Sequence, residues 1–279
     1  MSFKILEKSR VNSVTTRMVI EAPRVAAKAL AGQFVVIRID ECGERIPLTV
    51  NDAKKEAGTL TIIFQEVGAT TKRLATLSAG AALADVIGPL GRPTDFGKAG
   101  RVILVAGGVG IAEILPVARY AVAAGNEVTA IIGARTKELL ILEEEMRRVV
   151  PRLTVMTDDG SHGRRGLVTV PLKELLDTGE YDLVYCVGPD IMMKVTCDVT
   201  RGYGVRTLVS LDANMIDATG MCGTCRVTVD GKVKYSCVDG PEFDGHLVDW
   251  DGFLKRQKRF AAEEKRALEE GAHQCRIAA

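Results

Sequence analysis

Between residues 99 and 210 the sequence alternates short apolar runs of strand length with longer runs of helix length. The predicted strands are 101–106, 128–132, 153–157 and 183–187, and the predicted helices are 111–124, 137–150, 172–176 and 191–200. Apolar strands separated by helices form a parallel sheet that is covered on both faces. We therefore predict an α/β parallel-sheet domain of the nucleotide-binding type over residues 99–210.

The first 98 residues follow a different pattern, in which short β-branched and apolar runs are separated by Gly and Pro. This spacing is typical of a small antiparallel β-barrel. A cysteine-containing segment follows the α/β domain over residues 211–248, and a C-terminal helix and tail occupy 249–279. The helix carries an apolar stripe that includes Trp250, Phe253 and Leu268, which must cover this chain or a partner.

Composition excludes several classes of protein. The chain has 279 residues, 47% of them hydrophobic, and a net charge of +1, which gives no electrostatic case for binding nucleic acid or a membrane surface. The longest apolar run, 102–112, ends at Glu113 and is too short for a membrane span. The N-terminus lacks the apolar core of a secretory signal. We expect a cytoplasmic protein without a membrane span.

Three cysteines and one aspartate are grouped in the third unit: Asp217, Cys222, Cys225 and Cys237. The short spacing of Cys222 and Cys225 suits one metal centre, and a predicted hairpin over 226–236 precedes Cys237. Plant-type [2Fe–2S] clusters use C-x4-C-x2-C and a more distant fourth cysteine, and Asp217 occupies the first of these positions. We predict that these four side chains bind a [2Fe–2S] cluster, with one oxygen ligand.

A zinc site built from the same side chains is the competing interpretation of this segment. Under it, the chain would be a non-enzymatic zinc-binding interaction module. Zinc normally takes four Cys or His ligands, and no histidine is near these three cysteines. Gly220 and Gly223 in the ligand loop favour the iron–sulfur interpretation, because their amides can donate to sulfur.

The ends of three predicted strands carry residues suited to binding a dinucleotide. They are Gly107, Gly108 and Gly110 after the first strand, Asp158 after the third, and Gly188 and Pro189 after the fourth. Glycines at a strand–helix turn let the backbone approach a pyrophosphate, and the strand ends share one edge of a parallel sheet. Taken alone, the glycine turn is also compatible with tight packing, since Glu113 stands where the third glycine of a full motif would be.

Two motifs in the predicted barrel are suited to phosphate and ring binding. The first comprises Arg45, Pro47, Leu48 and Thr49, and the second comprises Gly68, Thr70 and Thr71. Arginine can pair with a phosphate through two hydrogen bonds, and a glycine with two hydroxyls at a helix start can bind an anion. Each motif by itself also fits ordinary strand-edge or helix-capping chemistry.

Taken in order, these motifs resemble the ferredoxin–NADP reductase superfamily, in which an FAD-binding barrel precedes a pyridine-nucleotide domain. The C-terminal ligand segment resembles that of dihydroorotate dehydrogenase electron-transfer subunits. The aspartate in place of a cysteine resembles the small subunits of NADH-dependent ferredoxin:NADP oxidoreductases. The family turn usually continues Ala-Pro, whereas Glu113 follows Ala112 here, and Leu48 stands where many members have an aromatic residue.

The resemblance implies roles for the residues at matching positions. Arg45, Gly68, Thr70 and Thr71 would contact FAD phosphates, with Pro47 and Leu48 in the same flavin motif. Thr49 would lie at the isoalloxazine N5 edge and Cys186 at the nicotinamide–flavin contact, which makes these two the predicted catalytic residues. The glycines at 107, 108, 110 and 188, with Pro189, would pass the NAD(H) pyrophosphate, and Asp158 would lie near its adenosine half.

The implied function is that of an NAD(P)H-dependent flavin and iron–sulfur oxidoreductase subunit. Hydride moves between NAD(H) and FAD, and single electrons pass through the [2Fe–2S] cluster. The implied partner is a larger flavoprotein subunit carrying FAD and [4Fe–4S] clusters, through which ferredoxin and NADP(H) are reached. The electron-transfer subunit of a dihydroorotate dehydrogenase is the alternative within the same superfamily.

Overall fold

The computed structural model describes residues 3–270. Its N-terminal part is a nearly closed antiparallel barrel of seven strands in the order β6-β1-β2-β5-β4-β3-β7. The strands are β1 (Phe3–Asn12), β2 (Thr15–Glu21), β3 (Phe34–Arg38), β4 (Arg45–Lys54), β5 (Thr59–Gln65), β6 (Ala82–Leu83) and β7 (Asp85–Leu90). Two short helices, α1 (Pro23–Ala26) and α2 (Ala69–Leu74), connect them. The predicted barrel is confirmed.

A mixed sheet of seven strands forms the second part, in the order β11-β10-β9-β8-β12-β13-β16. Its strands are β8 (Arg101–Gly107), β9 (Glu127–Ala134), β10 (Leu153–Thr157), β11 (Arg164–Arg165), β12 (Leu183–Val187), β13 (Arg206–Ser210) and β16 (Glu242–Asp244). Its helices are α3 (Gly110–Ala123), α4 (Glu143–Val149), α5 (Thr169–Thr178) and α6 (Asp190–Arg201). The central strands run parallel, as predicted, because helices connect them.

One predicted helix is interrupted. Residues 137–150 form a 3-10 turn over Lys137–Leu139 and then α4, with the intervening Leu142 in the left-handed region at φ 54°. Ile141 between them is only 3% exposed, so this apolar stretch turns into the core instead of continuing the helix. Three glutamates follow at the first turn of α4, where the helix dipole favours negative charge.

The ligand segment is inserted between two strands of the mixed sheet. It contains the hairpin β14 (Arg226–Val229) and β15 (Lys232–Tyr235) and the short helix α7 (Ser236–Asp239). The chain then returns as β16, which pairs antiparallel with β13, so that Ser210 lies opposite Glu242. The sheet thus takes one strand from beyond residue 210, where we expected the α/β domain to end.

The C-terminal region is split into α8 (Trp250–Gln257), a 3-10 turn (Lys258–Phe260) and α9 (Ala261–Glu270). Trp250 and Phe253 are buried, and the Trp250 indole N–H donates to the Gly245 carbonyl at 2.9 Å. Leu268 on α9 is 39% exposed. The apolar stripe therefore covers this chain at its start and lies open at its end. No helix in the described residues is long and apolar enough to cross a membrane.

A proline and an asparagine join the barrel to the α/β domain. Pro116 lies inside α3 and has no N–H to donate to the carbonyl of Ala112, four residues earlier. Asn51 of β4 fills this gap, since its side-chain amide donates to that carbonyl at 2.6 Å in a buried position. A side chain of the barrel thus donates to the backbone carbonyl that Pro116 leaves without a donor in the α/β domain.

We expect Asn51→Leu to lower the free energy of unfolding by roughly 1–3 kcal/mol, because it leaves a buried carbonyl without a donor. Pro116→Ala supplies the missing N–H within the helix, so the same Asn51→Leu change should cost less in that background. Chemical denaturation of the four proteins of this double-mutant cycle measures the difference. Equal costs in both backgrounds would contradict the explanation.

Candidate functional site

The ligand segment places two of its thiols together in the core. The sulfur atoms of Cys225 and Cys237 are 3.3 Å apart, and the two residues are 2% and 1% exposed. The hairpin produces this proximity, because Arg226 pairs with Tyr235 and the Cys225 carbonyl accepts from the Ser236 N–H at 3.1 Å. The predicted hairpin over 226–236 is present, and it turns at Asp230-Gly231.

The other two predicted ligands lie on the exposed side of the same loop. The carboxylate of Asp217 accepts from the Thr219 N–H at 2.8 Å and from the Cys222 N–H at 2.9 Å. The Thr219 hydrogen bond contributes most to lowering the pKa of Asp217, so the carboxylate stays charged. Cys222 is exposed. Within residues 3–270, no three His, Cys, Asp or Glu side chains are grouped closely enough to hold a metal ion.

The chemistry of the loop nevertheless fits an iron–sulfur cluster. Burial, together with the adjacent Cys225 thiol, raises the pKa of Cys237 to about 12, because both disfavour the charged thiolate. Two neighbouring thiolates here would therefore need a cation beside them. Arg256 of α8 donates to the Thr224 carbonyl at 2.9 Å, while its Nε–H is buried and has no acceptor among the described residues. In an iron–sulfur cluster held by three thiolates and a carboxylate, the iron ions would be the cations beside the thiolates. The net negative charge of the cluster would offer an acceptor to the Arg256 Nε–H.

We expect Asp217→Cys to retain a cluster but to change its electron paramagnetic resonance spectrum and raise its potential. A carboxylate is a harder donor than a thiolate and favours the more oxidised iron. Spectroscopy of the dithionite-reduced protein with a redox titration measures both changes. Asp230→Asn at the tip of the same hairpin is the control and should leave them unaltered. An unchanged spectrum in Asp217→Cys would remove Asp217 from the ligand set.

Two glycines shape the turn from β8 into α3: Gly110 faces the neighbouring strand, and Gly108 faces open space. A Cβ atom on Gly110 would lie 2.8 Å from the Val187 carbonyl oxygen, which belongs to the end of the neighbouring β12. Gly108 has φ +58°, and no atom lies within 4 Å of the place its Cβ would occupy. The turn therefore packs tightly against the sheet on one side and leaves the backbone open on the other. This open backbone at a helix start fits a pyrophosphate.

The remaining predicted dinucleotide residues share this edge of the sheet. Gly107 lies at the end of β8, and Gly188 and Pro189 follow β12 directly. A Cβ atom on Gly188 would lie 3.0 Å from the Gly107 N and O atoms, so the two strand ends touch. Asp158 follows β10, two strands away, and its N–H donates to the Ala134 carbonyl at 3.1 Å. The predicted convergence of strand ends is present.

Cys186 lies on β12 with its side chain fully buried in the core beside α6. Burial raises the pKa of this thiol to about 12. Its side chain belongs to the same buried apolar cluster as Met193 and Cys197 of α6. The predicted catalytic role of Cys186 at the nicotinamide remains a prediction.

Strand β4 presents the first flavin motif along a partly open face of the barrel. Four consecutive residues of this strand are partly exposed, although the first three are apolar: Ile46, Pro47, Leu48 and Thr49. Arg45 is exposed and forms no ion pair within the described part of the chain, whereas the cross-strand Arg38 pairs with Asp85. An uncovered apolar face beside a free guanidinium fits a ring that carries a phosphate.

The second barrel motif also serves to cap α2. The Thr71 hydroxyl accepts from the Gly68 N–H at 3.0 Å, and the Thr70 hydroxyl donates to Glu44 at 2.7 Å. The ordinary capping chemistry of this motif is therefore present. FAD-phosphate contacts for Gly68, Thr70 and Thr71 remain predictions.

Sequence reasoning gave no role to Glu113, which the structure places between the two domains. Its Oε2 accepts from the Thr49 hydroxyl at 3.3 Å, and its Oε1 is buried without a hydrogen-bond partner in residues 3–270. The sequence marked its position only by departures from a pattern, since Glu113 replaces the third glycine of a full dinucleotide motif and the usual proline after Ala112. A lone glutamate in a helix carries no pattern that indicates burial.

Comparison with known proteins agrees with this architecture. Residues 104–198 match the oxidoreductase NAD-binding domain, and residues 212–249 match the iron–sulfur cluster binding domain of dihydroorotate dehydrogenase B. The chain is 46% identical to a dihydroorotate dehydrogenase B (NAD(+)) electron transfer subunit homolog of Thermotoga maritima, over 95% of this chain and 94% of that protein.

Two solved structures extend the comparison. A structure of NADH-dependent reduced ferredoxin–NADP oxidoreductase, described in terms of flavin-based electron bifurcation, matches with a TM-score of 0.91 and 44% identity, over 96% of each chain. Phthalate dioxygenase reductase matches with a TM-score of 0.60 at 18% identity, over 82% of this chain and 86% of that one, which supports the fold alone.

The barrel, the dinucleotide-type sheet and the thiol segment define an oxidoreductase subunit of the ferredoxin–NADP reductase type. The chain belongs to the family of dihydroorotate dehydrogenase B electron-transfer subunits and their homologues, which includes the matched chain of NADH-dependent reduced ferredoxin–NADP oxidoreductase. The predicted superfamily, enzyme class and cofactor set of FAD, a [2Fe–2S] cluster and NAD(H) are confirmed at the level of this family. The family also confirms an electron-transfer role within a larger complex.

Proposed function

We propose that this chain is the small subunit of an NADH-dependent ferredoxin:NADP oxidoreductase that performs electron bifurcation. Its partner is a larger flavoprotein with FAD and [4Fe–4S] clusters, which together with this chain forms a heterodimer. The observation that carries the proposal is the full-length match to such an enzyme, at 44% identity over 96% of both chains. The carboxylate at position 217 of the ligand loop supports the same assignment.

The cofactors divide the chemistry, because a flavin can take a hydride from NADH and give up electrons singly to an iron–sulfur cluster. The work of this chain is to hold them next to one another. Gly107, Gly108 and Gly110 give the dinucleotide pyrophosphate a close approach to backbone amides at the start of α3. Gly188 and Pro189 border the same site, and Asp158 faces the adenosine end.

The barrel orients the flavin in this proposal. Arg45 neutralises phosphate charge at the start of β4, together with Gly68, Thr70 and Thr71 at the start of α2. Pro47 and Leu48 line the ring, and the Thr49 hydroxyl lies at its reactive edge. Because β4 also contacts the first turn of α3 through Asn51, the flavin side and the nicotinamide side are held in fixed register.

The ligand loop carries electrons out of the subunit. Asp217, Cys222, Cys225 and Cys237 hold the cluster, with the last two cysteines anchored in the core. Met221 beside Cys222 is 88% exposed, so this side of the loop is open to a partner. Ferredoxin and NADP(H) then react at the larger subunit and not on this chain.

Anaerobic expression together with the larger subunit tests the proposal. We expect a brown-yellow complex that contains flavin, iron and sulfide. NADH should reduce the flavin of this subunit, and the complex should reduce NADP⁺ with NADH and reduced ferredoxin together. Activity only with an orotate-forming partner would favour a dihydroorotate dehydrogenase subunit instead, as the name of the Thermotoga relative suggests. A colourless protein with stoichiometric zinc and no iron would overturn the electron-transfer proposal.

A further inference from the structure

Glu113 occupies the junction at which the barrel and the α/β domain meet. It lies in the first turn of α3, directly after the glycine turn, and bonds Thr49 of the barrel strand β4. Hydride transfer requires the two rings to be in contact, within about 3–3.5 Å. A nicotinamide on the glycine turn and a flavin on β4 can meet only at this junction, which Glu113 and Thr49 form from its two sides.

The carboxyl group of Glu113 is set up to gain and lose a proton. One oxygen accepts from Thr49, while the other is enclosed and has no regular hydrogen bond within residues 3–270, although the Ser210 hydroxyl is near enough to stabilise the carboxylate. A buried carboxylate with so few donors is costly, whereas the protonated acid needs only one acceptor. Thr49 is partly exposed, and its hydroxyl, which is bonded to Glu113, is therefore the group that connects this carboxyl group to the junction.

The oxidation of NADH releases a proton that a group such as the Glu113 carboxylate can accept. Oxidation of NADH by one-electron carriers follows NADH → NAD⁺ + H⁺ + 2 e⁻, so each turnover leaves one proton where the electrons depart. The electrons leave through the cluster, and the proton requires a base within the junction. We propose that Glu113 is this base, and that it receives the proton through the Thr49 hydroxyl and then releases it to solvent.

The groups around Glu113 bring its pKa close to neutral pH. Burial raises its pKa to about 7, an effect that the hydroxyls of Ser210 and Thr49 only partly offset. Glu242 on β16 and Asp212, which follows β13, raise it further as like charges, and Tyr185 on β12 faces the same network. A group with a pKa near the working pH can both accept and release a proton.

The proposal for Glu113 rests on the proposed function. It is tested by the pH dependence of the midpoint potential of the bound flavin, measured in the complete complex. Reduction adds negative charge and raises the pKa of Glu113, so the potential should fall more steeply with pH over an interval that begins near pH 7. We expect Glu113→Gln to bind FAD and to lose this steeper interval. Thr49→Val should keep the steeper interval and move it to higher pH, because the carboxylate loses a donor, while the infrared C=O band of a protonated Glu113 persists. It should slow the release of the proton to solvent, which a pH-indicator dye follows during flavin oxidation.

Glu242→Gln is the matched control, because the half-buried Glu242 carboxylate lies in the same network but accepts from Tyr185 at 2.8 Å and from Thr94. It should keep the steeper interval and move it to lower pH, since a like charge beside Glu113 is lost. Identical curves in wild type and Glu113→Gln, or proton release at the wild-type rate in Thr49→Val, would overturn the proposal. Absence of flavin from the wild-type complex would instead refute the proposed function itself.

Discussion

Cys225→Ala abolishes the [2Fe–2S] signal and lowers electron transfer to the partner about 100-fold or more, while NADH continues to reduce the flavin. This is the largest effect that we expect, because metal-site affinity already falls 10–100-fold when only an outer partner of a ligand is lost. Cys225 is 2% exposed, and its sulfur is 3.3 Å from that of Cys237, so no solvent ligand can enter in its place. Electron paramagnetic resonance, iron content and stopped-flow flavin reduction measure the three parts of this result.

Cys197→Ala is the control for this experiment. Cys197 is a fully buried thiol of α6, outside the ligand segment, so its loss removes packing but no ligand. It should leave iron content and the resonance signal at wild-type levels. A cluster of normal occupancy in Cys225→Ala would show that this cysteine is not a ligand.

Gly110→Ala raises the KM for NADH by roughly 100-fold and lowers stability by about 1–3 kcal/mol. The added methyl would lie 2.8 Å from the Val187 carbonyl oxygen and 3.1 Å from the Gly188 Cα, both of which are backbone atoms that cannot rotate away. The β8–α3 turn must therefore move away from the end of β12, and the dinucleotide site moves with it. Steady-state kinetics and thermal unfolding measure the two effects.

Gly202→Ala is the matched control, because its added methyl would make only an ordinary contact of 3.4 Å with the Val199 carbonyl at the end of α6. Flavin absorbance and the cluster signal should survive in both variants, since neither glycine belongs to those sites. An unchanged KM in Gly110→Ala would contradict the placement of the nicotinamide cofactor at this turn.

The proposed function gives a reason for the order of the barrel, the parallel sheet and the ligand segment. A two-electron donor and a one-electron carrier need a flavin between them. The barrel strand β4 contacts α3 on one side, and β16 returns from the ligand segment to the sheet on the other. Glu242 on β16 and Glu113 on α3 influence each other electrostatically, so the end of the ligand segment and the start of α3 share one network.

The order of units, the parallel sheet and the hairpin that turns at Asp230-Gly231 follow from the sequence alone. Each depends on local periodicity or on short spacing, which a one-dimensional pattern preserves. The Asp217-to-Cys237 segment was recognisable for this reason, since its four side chains lie within one short stretch.

Only the tertiary structure revealed the contacts between residues that are distant in the chain. Asn51 compensates for Pro116, β16 joins the sheet that ends at β13, and Glu113 meets Thr49 across the domain junction. The burial of Cys186 belongs to the same group, because its strand is apolar on both faces and the pattern does not say which face a helix covers. Burial and long-range hydrogen bonding depend on how domains pack, and no local pattern in the sequence encodes that packing.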